Sequence, residues 1–345
     1  MSEEKPTRAP TSEEVSQALR RCWQPVARMQ DLEDGPQRAV ILGEALAVFL
    51  TESGAPAVVA DRCAHRGASL SMGEVKGEGV QCPYHGWEWN GRDGACTRIP
   101  SLADQSQIPP GARIASFPVR EQWGLVWTAL EEPLGEPPTV PWFKPGPGRW
   151  KHGTPFELPV GLGLMIENFR DVAHFAFVHR DTFGSVAEVV EPLAVERDGI
   201  EVTMSREMKT GAGGDGTWDS LRAGHSHAIA PNFTSVRMVM AKGERWLLHA
   251  ARAIGATESV HYWAEGLSDD FDELSLDEAI ESEERLYVED RGVTAAIQPP
   301  ELPLARDADF NTLADRFTLA YREAFSEFVW RALSGRAAHS SSNAS

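Results

Sequence analysis

Cys63-Ala64-His65-Arg66-Gly67-Ala68 and Cys82-Pro83-Tyr84-His85-Gly86-Trp87 are two short segments, each offering one thiol and one imidazole. Two soft thiolates and two imidazoles can hold zinc or an iron–sulfur cluster. Zinc modules usually group like ligands, cysteine with cysteine and histidine with histidine. Here each loop mixes the types, which suits a two-iron cluster with thiolates on one iron and imidazoles on the other. Zinc stays open as the rival, and buried cysteines with structural histidines as the bland alternative. Gly67 and Gly86 let both loops turn tightly, and Trp87 is read as a packing residue. Only Cys22 and Cys96 remain besides, so no disulfide framework and no second cysteine-rich cluster is expected.

A second constellation lies in Asn168-Phe169-Arg170-Asp171-Val172-Ala173-His174-Phe175-Ala176-Phe177-Val178-His179. Polar residues sit here inside an apolar, helix-like segment read as Leu162 to Arg180. Asn168, Asp171 and His174 are three apart and share a helical surface. His174 and His179 are five apart, about 140° on an ideal helix. Both can face one metal only where the helix ends or is distorted, as at a π-bulge. Two histidines need one carboxylate to complete the facial triad of non-haem iron oxygenases. Spacing alone does not choose that carboxylate from the acidic run Asp277 to Asp290.

Around these motifs the chain of 345 residues is long enough for two domains. Short apolar runs at Ala39–Leu42, Leu46–Leu50, Ala57–Ala60 and Gly124–Thr128 read as strands, making residues 18–133 a small all-β domain. A proline-rich strap from Pro133 to Pro147 follows. Residues 186–266 alternate like strands, and helices are expected from Leu274 to about Ile297 and from Thr312 to Leu333. The second domain, 134–339, is therefore expected to be α+β. The net charge of −18 disfavours nucleic acid as a partner. No apolar stretch approaches the ~20 residues of a membrane span. The polar N-terminus does not read as a secretory signal, so a cytoplasmic location is expected.

The two constellations, in this order and separation, resemble the Rieske non-haem iron oxygenases from Trp23 to about Phe328. The likeness is to the homotrimeric branch that includes dicamba monooxygenase, vanillate O-demethylase and the saxitoxin-pathway hydroxylases. Where many members have Pro, this chain has Ala64, which is not a ligand. The resemblance implies an all-β Rieske domain followed by a helix-grip domain. It implies a [2Fe-2S] cluster on Cys63, His65, Cys82 and His85, and mononuclear Fe(II) on His174, His179 and Asp290. Asp290 follows only from the match of Glu289-Asp290-Arg291 to the family's downstream acidic segment. Asp171 is implied to bridge centres, accepting hydrogen bonds from His174 and from His85 of a neighbouring chain in a homotrimer. Asn168 is read as a structural or gating residue beside the metal. The implied reaction is dioxygen-dependent monooxygenation (hydroxylation or O-/N-demethylation) of a small organic substrate. The alternatives are cis-dihydroxylation, or a Rieske electron carrier or zinc protein without oxygenase activity. No nucleotide-binding Gly-x-Gly-x-x-Gly follows a strand, so a separate NAD(P)H-linked reductase is expected, with or without a ferredoxin. Residues from about 205 to 265, plus the helix near Asn168, are expected to line the substrate site, with Trp218, His225, His227, Asn232, Met238 and Met240 as candidates.

Overall fold

Strand β1 (Gln24–Arg28) opens a run of ten short strands in the N-terminal half of the computed structural model. It is followed by β2 (Gln37–Ile41), β3 (Glu44–Leu50), β4 (Pro56–Ala60), β5 (Glu74–Lys76), β6 (Gly79–Gln81) and β7 (Glu88–Asn90). Then come β8 (Cys96–Arg98), β9 (Val119–Gln122) and β10 (Leu125–Thr128). They form three antiparallel sheets, ordered β1-β10-β9, β2-β3-β4 and β5-β6-β7-β8. Strand β3 shows why the sequence folds so: its side chains alternate between faces. Leu46 and Val48 pack with Val26, Ile41, Val58 and Val126, whereas Ala47 and Phe49 pack with Val59, Leu70, Val80 and Trp89. Cys63 and Cys82 belong to the second cluster.

The structure describes residues 8–184, 186–207 and 218–334, and the chain divides into two compact units. One is Leu19–Pro137; the other begins at Pro138 and includes the N-terminal segment through Ala18. Helix α1 (Ser12–Leu19) supplies that segment, and Ser12 Oγ donates to Glu301. The end of the 134–339 range lies outside the described residues.

The second unit is built on an antiparallel sheet of eight strands. They are β11 (Trp150–His152), β12 (Phe156–Leu158), β13 (Ala194–Asp198), β14 (Glu201–Glu207), β15 (Ala223–Ile229), β16 (Phe233–Val239), β17 (Glu244–Gly255) and β18 (Glu258–Leu267). The order is β11-β18-β17-β16-β15-β14-β13, with β12 also pairing β18. Strands β17 and β18 are buried along nearly their whole length, the mark of a strand covered on both faces. Strand β15 alternates buried and half-buried residues, so only one of its faces looks into the core.

The segment expected to be one helix is broken into three. Helix α2 (Leu162–Asn168) ends in a turn, and α3 (Phe175–Val178) and α4 (Arg180–Phe183) are single turns. The Asp171 carboxylate accepts from Ala173 N at 2.8 Å, an Asx-turn that competes with the helical ladder. His179, between α3 and α4, leaves helical geometry at φ −103°, ψ 25°. An interruption of the helix, not a π-bulge, thus brings the two histidines round to one side. Helix α5 (Leu276–Thr294) packs on β18, and α6 (Arg316–Leu333) on β13 and β14. Ser275 starts α5 with a full capping box, its hydroxyl accepting from Glu278 N while Glu278 bonds back to Ser275 N.

Candidate metal centres and active site

The two cysteine loops close in the same way. Cys63 N donates to Ala68 O, and Gly67 N to Cys63 O, both at 2.8 Å. In the second loop Cys82 N donates to Trp87 O at 2.8 Å, and Gly86 N to Cys82 O at 3.0 Å. Each turn needs a left-handed residue at its fifth position, and the glycines supply it at φ +78° and +69°. Cys63 and Cys82 are buried; His65 is half-buried and His85 exposed, their ring centres 4.6 Å apart. Trp87 stacks on His65 at 4.5 Å and so packs, as expected. Burial pushes the Cys63 thiol up, and Cys82 beside it adds to the push. Binding metal relieves both by taking the thiolate form.

In the second unit, α3 and α4 present His174 and His179 to Asp290 on α5. His174 Nε2 and His179 Nε2 lie 3.2 Å apart. Asp290 Oδ1 lies 3.4 Å from the first and 3.2 Å from the second. The opposite ring nitrogens are taken. His174 Nδ1 faces Asp171 Oδ2 at 3.2 Å, and His179 Nδ1 faces Glu289 Oε2 at 2.7 Å. Protons held at Nδ1 by these carboxylates leave both Nε2 lone pairs aimed at one point. Asp290 Oδ1 is buried there and has no hydrogen-bond donor. With Nδ1 carrying the proton on each ring, two Nε2 lone pairs and Asp290 Oδ1 converge on one point, a set that fits a cation. Among the described residues this is the one set whose donor atoms all lie within 4.8 Å of one another. The Cys63, His65, Cys82 and His85 donors do not gather so tightly, as suits two irons better than one zinc.

Burial acts against the charged form of Asp171, but the hydrogen bond and charge of His174 outweigh it and hold the carboxyl below its usual range. The same contest raises His179: burial opposes the charge, and Asp290 and Glu289 favour it. Glu289 escaped the sequence reading, although it stands beside Asp290. It also accepts from Thr182 Oγ1 at 2.9 Å and so ties α4 to α5. Asn168 ends α2 with its side-chain nitrogen buried and without an acceptor.

A cavity of about 90 Å³, open to solvent on one side, adjoins the cluster. Its wall includes Phe169, Phe183, Val236, Met238, Leu247 and Leu286. Trp218 and Met238 line it as expected; His225, His227, Asn232 and Met240 are not among its lining residues. The reason for the histidines is the alternation of β15. Gly224 and Ser226 face the cavity, so His225 and His227 face the other way and bond to Ser205 and Glu201. Asn232 instead donates to Ala251 O. Arg170 and Arg206 also line the cavity, within the stretches expected to do so, and Glu283 lines it from outside them.

Residues 22–118 match the Rieske [2Fe-2S] domain, and residues 160–329 match the Vanillate O-demethylase oxygenase C-terminal domain. The chain belongs to the Rieske non-haem iron oxygenases, oxidoreductases that carry a [2Fe-2S] cluster and a mononuclear iron. The solved structure of NdmA from Pseudomonas putida with caffeine superposes with a TM-score of 0.81 at 23% identity, covering 96% of this chain and 99% of that one. A structure of dicamba monooxygenase gives 0.73 at 20% identity, with 90% and 98% covered. By sequence, the chain is 37% identical to chlorophyllide a oxygenase of Chlamydomonas reinhardtii over 175 residues, 50% of this chain and 26% of that relative. It is 32% identical to a putative toluene-4-sulfonate monooxygenase iron–sulfur subunit of Comamonas testosteroni over 183 residues, 52% of each. The matched regions span between a quarter and about half of the first curated relatives. Among the described residues no helix is long and apolar enough to cross a membrane.

Proposed function

We propose that the chain is the terminal oxygenase of a Rieske system and monooxygenates a small organic molecule, by hydroxylation or by O- or N-demethylation. The convergence of His174 Nε2, His179 Nε2 and Asp290 Oδ1 beside an apolar cavity carries the reading. Cys63, His65, Cys82 and His85 hold the cluster, and His174, His179 and Asp290 hold the iron. When bound, the cluster passes single electrons and the iron activates dioxygen. Asp171 and Glu289 fix the tautomer and orientation of the two rings and raise their basicity. Phe169, Phe183, Met238 and Leu247 exclude water and take the hydrocarbon part of the substrate. A hydroxylated O- or N-methyl group departs as formaldehyde, which makes the net reaction a demethylation.

Our reading further assigns the cluster to residues 18–133 and the iron and substrate to 134–339. It takes the working form as a homotrimer in the cytoplasm, with Asp171 at the boundary between chains and Asn168 supporting the turn next to it. Electrons come from a separate reductase. The first test is metal content. Wild type is expected to hold about three irons per chain, two in the cluster and one in the triad. Asp290→Ala retains the visible cluster spectrum with about two irons, and Cys63→Ser loses the colour and keeps about one. Colourless wild-type protein, or an Asp290→Ala variant with unchanged iron, rules the assignment out.

A further inference from the structure

We propose that the cavity is built for an aromatic anion whose carboxylate or sulfonate is taken by Arg170, with Arg206 alongside. The proposal rests on reading this cavity as the substrate site. Arg170 is 5% exposed and lines the cavity. Its Nη1 donates to Ser226 Oγ at 3.2 Å, and its Nε is buried with no acceptor. Among the described residues no carboxylate stands within ion-pair distance of it; Glu283 and Asp290 act on its charge only from farther off. Two other buried arginines, Arg245 and Arg322, show how this fold pairs a structural guanidinium with carboxylates. Arg245 donates to Glu265 at 2.6 Å and to Ser282 at 3.0 Å. Arg322 pairs with Glu167 and Asp309 at 2.7–2.8 Å. A buried charge without a partner is strongly unfavourable unless something else supplies the opposite charge. At Arg170 the place for that charge is the cavity.

Arg206 stands on the same side of the cavity, half-buried, with the charge of Asp171 acting on it from beyond ion-pair distance. It lies on β14, paired with Gly224 of β15, next but one to Ser226. Its guanidinium sits 5.1 Å from the Phe175 ring, and it lines the same cavity. Among the described residues it too makes no ion pair. Burial lowers both guanidiniums to about 10, which leaves them charged at neutral pH. The cationic wall is therefore the Arg170–Arg206–Ser226 side. The rest of the cavity offers aromatic and aliphatic surface, including Phe183, Trp218 and Leu286. Two acids also face the space. Asp290 belongs to the set that would hold the iron. Glu283 is pushed up to about 7, by burial first and by Glu265 second, so a large share of it carries no charge at neutral pH. A carboxylate or sulfonate suits a guanidinium because two of its oxygens can accept the two parallel hydrogen bonds of the fork.

The test is binding, measured by isothermal titration calorimetry on the metal-loaded full chain without dioxygen or reductase. The probes are benzoate and benzenesulfonate against their neutral counterparts benzamide and benzenesulfonamide. The anions are expected to bind at least about tenfold tighter than the amides. Arg170→Met is expected to abolish that preference and Arg206→Met to reduce it. Met keeps the length and removes an unpaired buried charge, so Arg170→Met is expected to fold, which thermal unfolding checks. The proposal is overturned if the amides bind as tightly as the anions, if no anion binds at millimolar concentration, or if the preference survives Arg170→Met. The iron count on the same sample tests the oxygenase reading separately. A chain with few irons and intact anion preference would sink that reading and leave the anion site standing.

Discussion

Asp171 does two things with one carboxylate. One oxygen ends the helix by accepting from Ala173 N, and the other faces the His174 ring. Asp171→Asn keeps the shape but loses the charge that orients and enriches that imidazole. We expect such a variant to retain its iron and to turn over about 10–100-fold more slowly. Product formation and iron analysis on one preparation decide it, and wild-type turnover ends the role assigned to Asp171. Glu283 allows a prediction about pH. Its folded-state value of about 7 lies above the ordinary 4.5, because burial and then Glu265 disfavour the charge. The folded chain thus holds this proton more tightly than the unfolded chain. The stability so contributed is complete below about 4.5 and is lost as pH rises through about 7. Glu283→Gln removes that dependence. Between pH 5 and 8 its stability relative to wild type should rise by on the order of 1–3 kcal/mol, read from urea unfolding at both pH values. A constant difference at the two values contradicts the buried-acid account.

Helix α5 carries Glu283, Tyr287, Glu289 and Asp290 on its course past the cavity and the imidazole pair. Its position therefore depends on how it starts. Ser275→Ala removes the hydroxyl half of the capping box and is expected to cost about 1 kcal/mol in chemical denaturation, with metal content unchanged because the cap lies several turns away. A loss of iron in that variant instead means that the cap sets the register of the helix. This element also shows where sequence reading stops. The cysteine loops were legible because each is local: ligand, turn glycine and closing hydrogen bond lie within six residues. The histidine pair was legible as an anomaly in a helix, but not the Asx-turn that resolves it, since nothing marks Asp171 as a turn former until its carboxylate finds Ala173 N. Asp290 came only from resemblance, because one acid in an acidic helix looks like its neighbours until the helix has been packed. His225 and His227 were correctly placed on a common face of one strand. Which face meets the cavity is decided by the rest of the sheet.

At the scale of the molecule, each compact unit has its own apolar core. Cys63 and Cys82 lie in one, and the cavity wall belongs to the other. The net charge of −18 bears on solubility and on which surfaces the chain meets, and it decided nothing about the fold. Both domains were legible from the alternation of apolar runs and turn signals, whereas the lining of the cavity was not, since it draws on strands, short helices and α5 together. One feature of that second unit reaches beyond catalysis. His179 and Glu289 are 110 positions apart, and Asp290 follows directly. A cation shared by His174, His179 and Asp290 is then a clasp that ties two distant stretches of one chain, much as a crosslink would. Because it grips only the folded form, its binding adds to the stability of that form. Removing iron with a chelator should lower the melting transition of the residue 138–334 unit and leave that of the cluster unit in place, as calorimetry with the cluster colour monitored in parallel can resolve. Loss of that one ion would then loosen the fold of this unit as well as stop its chemistry.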